Sequence, residues 1–99
     1  LPVRTWGVPT RLPEDDPDRA LQWQRRRALV GSRIRALRLE RGLSQESLAL
    51  ESGVARNQLI QMEHGRRGVL IARVYDIAEA LGVSVSEIVV DDPAASAQR

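Results

Sequence analysis

Ninety-nine residues, 42% of them apolar, suffice for one domain with its own core, and the absence of Phe makes that core aliphatic. The chain has no cysteine, which excludes a disulfide scaffold, thiolate zinc sites and a cysteine nucleophile, and is compatible with a reducing cytosol. A net charge of +2 hides an Arg-rich middle: residues 19–73 hold twelve Arg against four Glu, a footprint for a polyanion, whereas the other acids gather in 14–18 and from Asp76 onward.

Residues 1–17 carry four of the five prolines and read as an extended arm that cannot sustain a helix. No signal-peptide pattern opens the chain, and no apolar run approaches the roughly 20 residues that span a bilayer. The missing initiator Met suggests a trimmed chain or a piece of a longer protein. Asp16-Pro17 combines an N-cap with proline at the first helical position, so a helix is expected from Asp18 to Arg41. Gly31 is a candidate break near its middle, and Leu21, Ala28, Ile34 and Leu37 are roughly in phase. Gly42 stands where helices commonly end in glycine.

Ser44 is placed to cap a second helix over about 45–52 that Gly53 stops, with Leu48 and Ala49 facing inward. A third covers about 55–64, with Leu59 and Met62 inside and Gly65 closing it. After a loop, Ile71, Val74, Ile77, Ala78 and Leu81 form an apolar stripe along a fourth helix over about 70–81. Gly82 ends it, and Ser84 or Ser86 caps a short fifth helix. The tail 91–99 is small, polar and expected to fray. Without a useful alternating strand pattern, the chain reads as all-α.

Two short helices joined at a glycine, over 44–64, make a helix-turn-helix. Closing Leu48, Ala49, Val54, Leu59 and Met62 into one small core leaves Arg56, Asn57, Gln58 and Gln61 outside. Arg can bond guanine O6 and N7 in a bidentate way, and Asn or Gln can do the same with adenine N6 and N7. An exposed helix commonly carries Glu–Arg pairs, but this one has no acid before Glu63.

The blocks "GSRIRALRLERGLSQESLA", "SGVARNQLIQMEHGRR" and "DIAEALGVSVSEIV" resemble, in order and spacing, the lambda-repressor-like (Cro-type, xenobiotic-response-element) helix-turn-helix family over about residues 30–90. The resemblance implies a compact five-helix domain, here within 18–90. It also implies a cytoplasmic transcriptional regulator or repressor that binds double-stranded operator DNA, usually as a homodimer, with its third helix in the major groove. Carried over by position, Arg56, Asn57 and Gln61 contact bases. Gln45, Gln58, Arg66 and Arg67 contact phosphate, and Arg38 and Glu63 form a structural ion pair.

Three departures stand out. Ala55 replaces the Ser or Thr that usually caps the recognition helix. Val69-Leu70 replaces a frequent Pro-Ser before the fourth helix. Segment 1–29 lies outside the pattern, and its Trp6 and Trp23 read as packing anchors or dimer contacts, with Arg4 and Arg11 able to reach DNA. "RRR" at 25–27 reads as an ordinary solvated face.

An alternative is a protein-interaction module, such as an antitoxin or a polymerase-docking subunit, gripping its partner through residues 1–29. Catalysis finds no support: there is a single His (His64), no Cys, no glycine-rich phosphate loop and no carboxylate pair backed by a base. No metal, cofactor or membrane association is expected.

Overall fold

The computed structural model describes residues 16–93. The expectations placed on Arg4, Trp6 and Arg11 and on the arm to residue 15, and those on the tail from residue 94, lie outside this range. Among the described residues, four α-helices follow one another: α1 (Pro17–Glu40), α2 (Gln45–Ser52), α3 (Arg56–Glu63) and α4 (Ile71–Leu81). No strand is present among them.

Helix α1 begins one residue earlier than expected. The Asp16 carboxylate accepts from the Asp18 amide at 3.0 Å, and Pro17 occupies a position whose N–H would have no helical partner. Gly31 does not break this helix, which runs unbroken for 24 residues. It marks instead the crossing of α1 over the end of α3. A Cβ at position 31 would collide with the backbone carbonyl oxygens of Met62 and Glu63. The local propensity cost of glycine is thus exchanged for a close helix–helix approach.

The core is aliphatic and takes one large, fully buried side chain from each element: Ile34 from α1, Leu48 from α2, Leu59 from α3, Ile77 from α4, and Ile88 beyond α4. Leu37, Ala49, Val54, Met62, Val74, Ala78 and Leu81 complete it. Three residues expected in the apolar stripes, Leu21, Ala28 and Ile71, lie outside. Leu21 is 57% exposed because the first half of α1 extends past the packed part of the bundle, whose buried α1 residues begin at Gly31. Ile71 is 64% exposed because the first turn of α4, with Leu70 and Tyr75, stands outside the core that Val74 enters.

The expected fifth helix is only a 3-10 turn, Val85–Glu87. Ser84 and Ser86 hydroxyls bond each other at 2.7 Å and cap no backbone amide, while Ile88 is already drawn into the core one residue later. Arg33 Nε donates to the Glu87 carbonyl at 2.8 Å, and Arg25 pairs with Asp92 at 3.2 Å, so the chain after α4 lies along α1.

Candidate nucleic-acid interface

Helices α2 and α3 are separated by Gly53, Val54 and Ala55 alone. Ser44 caps α2 by accepting from the Ser47 amide at 3.0 Å, and Val54 is buried in the turn, fixing where α3 must start. Ala55 holds the extended geometry of an N-cap but offers no oxygen, so no side chain caps α3. The first-turn amides of this exposed helix therefore carry a partial positive charge with no side-chain acceptor.

Leu59, Met62 and Glu63 bury one side of α3. Arg56, Asn57 and Gln58 are exposed and Gln61 is half-buried, and among the described residues none of their side chains makes a hydrogen bond or ion pair. Asn57 and Gln61, one turn apart, share the outward face with Arg56 beside them. Gln58 turns instead toward a cleft of about 240 Å³ that it lines with Arg67, Gly68 and Arg73.

The inner end of α3 is clamped. Arg38 Nε and Nη2 donate to the two carboxylate oxygens of Glu63 at 2.8 and 2.9 Å, and Arg38 Nη1 donates to the Leu43 carbonyl at 2.9 Å. Gln45 Nε2 donates to the same carboxylate at 3.2 Å. One buried carboxylate thus ties α1, α2 and α3 together. Gln45, placed by resemblance on a phosphate, has one amide hydrogen engaged inside the protein and one left over.

Helix α3 ends at Gly65, whose φ of +68° lets the Arg66 amide reach back to the Gln61 carbonyl at 3.0 Å and the Gly65 amide reach Met62 at 3.0 Å. A Cβ on residue 65 would come within 2.7 Å of the Ala28 Cα, so glycine is required here twice over. His64 is exposed and donates from Nδ1 to the Ile60 carbonyl at 2.8 Å, closing the helix end. Arg66 and Arg67 leave this corner exposed, with no carboxylate in ion-pair distance among the described residues. Arg27, read from sequence as solvated surface, is half-buried against the same loop, its Nε donating to the Gly65 carbonyl over a long 3.4 Å. The signal for this was present in the spacing, since Arg27 stands four residues before Gly31 and seven before Ile34, on the packed face of α1.

A family profile described as helix-turn-helix matches residues 34–88, more than half of the chain. The chain belongs to this helix-turn-helix family. The uncharacterized HTH-type transcriptional regulator y4dJ of Sinorhizobium fredii is 44% identical over 63 residues, covering 64% of this chain and 82% of that protein. The crystal structure of the restriction-modification controller protein C.AhdI from Aeromonas hydrophila is 37% identical, with a TM-score of 0.62 over 63% of this chain and 94% of its own. That of the hypothetical transcription factor NHTF from Neisseria is 27% identical, with a TM-score of 0.64 over 92% of this chain and 94% of its own. The lambda-repressor-like resemblance and the all-α class hold, and the chain is of the transcriptional-regulator kind. No helix among the described residues is long and apolar enough to cross a membrane.

Proposed function

We propose that this helix-turn-helix protein is a cytoplasmic, sequence-specific DNA-binding regulator that places α3 in the major groove. The observation that carries this reading is the set of unengaged side chains on α3: Arg56, Asn57 and Gln61 face outward from a helix whose opposite side is fixed in the core. Arg56 reads a guanine, and Asn57 and Gln61 read adenines. Gln45, Gln58, Arg66 and Arg67 flank this surface and bind phosphates, which set register without reading sequence. Anionic oxygen near the uncapped start of α3 meets its unsatisfied amides and its dipole.

The protein acts as a homodimer on a pseudo-palindromic site, its two recognition helices about 34 Å apart, one turn of DNA. Selection of bound duplexes from a random pool tests this. The expected product is two inverted half-sites at about one helical repeat, centre to centre. A pool that emerges without a shared motif removes sequence-specific reading.

One observation favours a second reading, a protein-interaction module working through residues 1–29. The first half of α1 carries Leu21 exposed and Trp23 half-buried beyond the bundle. Anisotropy with random duplex at low salt separates the two, since a pure interaction module binds no duplex at all.

A further inference from the structure

The arginines of α1 divide by direction. Arg25 and Arg38 have carboxylate partners, and Arg33 is held by the Glu87 carbonyl. Arg19, Arg26, Arg27 and Arg35 have no ion pair among the described residues.

Two of these four lie on one line. Stepping back from the buried positions Ile34 and Gly31 by helical repeats reaches Arg27, then Trp23, then Arg19. The face of α1 that packs on α3 therefore continues past the end of the bundle as Arg-Trp-Arg. Arg19 is not left to wander: its guanidinium sits 5.7 Å from the centroid of the Trp23 ring, within cation–π range. Arg27 is oriented by its Nε, a long 3.4 Å from the Gly65 carbonyl, and neither terminal nitrogen makes a hydrogen bond among the described residues. It stands beside the loop bearing Arg66 and Arg67, and a Cβ on Gly68 would be 4.0 Å from its Cδ. None of these four cations is in an ion pair among the described residues, so an anion that bridges them relieves their mutual repulsion.

We infer that the projecting half of α1 is a second phosphate-binding element: Arg27 and Arg19 grip the backbone of the same duplex, in continuity with Arg66 and Arg67. This rests on the DNA-binding reading but adds a contact outside the helix-turn-helix, on a segment that motif does not include. Arg27 offers its two terminal nitrogens to phosphate oxygens close to the loop. Arg19 lies about 12 Å further along α1 at the helical rise of roughly 1.5 Å per residue, so it reaches a different phosphate.

The test compares the unmodified chain with Arg27→Gln, Arg19→Gln and the double variant, by anisotropy on a duplex carrying the selected site and on a scrambled one, over a salt series. Each lost phosphate contact lowers the slope of log affinity against log salt by about 0.9, so the double variant is expected to lose nearly two units. The ratio of cognate to scrambled affinity stays unchanged. Glutamine keeps an N–H for the Gly65 carbonyl. Arg19 is exposed, so its variant reports even if Arg27→Gln loosens the loop. A merely structural role lowers the melting temperature and leaves the slope alone, and that result overturns the inference. If the unmodified chain binds no duplex, the DNA-binding reading falls first and takes the inference with it. If the unmodified chain binds and all the slopes coincide, only the inference falls.

Discussion

Arg38 and Glu63 lie 25 positions apart in sequence and meet through two parallel hydrogen bonds of 2.8 and 2.9 Å, both side chains buried. The third arm of the guanidinium is taken by the Leu43 carbonyl, and Gln45 adds a further donor to the carboxylate. No buried side-chain nitrogen or oxygen among the described residues lacks a partner. A pair desolvated this completely is costly to break from one side. Arg38→Ala or Glu63→Ala is expected to destabilise the fold by about 3–5 kcal/mol in urea unfolding. Replacing both with apolar residues of similar volume should cost less than either single change, because no buried charge is then left alone. A double variant as unstable as the sum of the singles would contradict that account.

Gly31→Ala is a test by sign. At an exposed mid-helix site this change stabilises by about 1 kcal/mol through propensity alone. Here the new Cβ meets the carbonyl oxygens of Met62 and Glu63, the latter at 2.9 Å, and neither can swing aside as a side chain would. Thermal unfolding should show a loss of about 1–3 kcal/mol, the usual range for overpacking. Gly68→Ala, whose Cβ would meet nothing closer than 4.0 Å, serves as the near-neutral control. A stabilised Gly31→Ala protein would mean that α1 and α3 do not approach this closely.

Much of this architecture was legible in the sequence, for a physical reason: short helices bounded by Ser44, Gly53, Gly65 and Gly82 carry their own start and stop chemistry. The stripe through Val74, Ile77, Ala78 and Leu81 is buried where its period puts it. What could not be read was where the bundle ends. Periodicity says which side of a helix is apolar, not whether another element lies opposite, so Leu21 and Ile71 were in phase but nothing among the described residues covers them. Gly31 was ambiguous in the same way, since a glycine that breaks a helix and one that admits a neighbouring backbone are alike in one dimension. The outward turn of α3 was legible, since the burial of Leu59 and Met62 leaves Arg56 and Asn57 exposed and Gln61 half-buried; that these side chains read bases is the proposal. For Arg27 the spacing showed only which face of α1 it shares, and not its place beside Gly65, a contact across 38 positions.

The vacant cap on α3 yields a prediction of gain. Ala55 has φ −62° and ψ 139°, a geometry in which a serine hydroxyl can accept from the amides of the first turn. Ala55→Ser should raise stability by about 1 kcal/mol in thermal unfolding. Phosphate drawn to the same amides would then compete with the new hydroxyl, so affinity for duplex should not rise with stability. A variant no more stable than the parent would mean that the first turn of α3 is already satisfied by another route.

The central claim, that the outward turn of α3 reads bases, is tested most directly by comparing Arg56→Ala with the unmodified chain on cognate and scrambled duplexes at one fixed salt concentration. Arg56 makes no hydrogen bond or ion pair among the described residues, so its removal should leave the fold intact. The predicted result is a loss of about 1–3 kcal/mol on the cognate duplex, with relaxed preference at one base pair and little change on the scrambled one. Equal weakening on both duplexes would reduce Arg56 to a phosphate contact and contradict the claim.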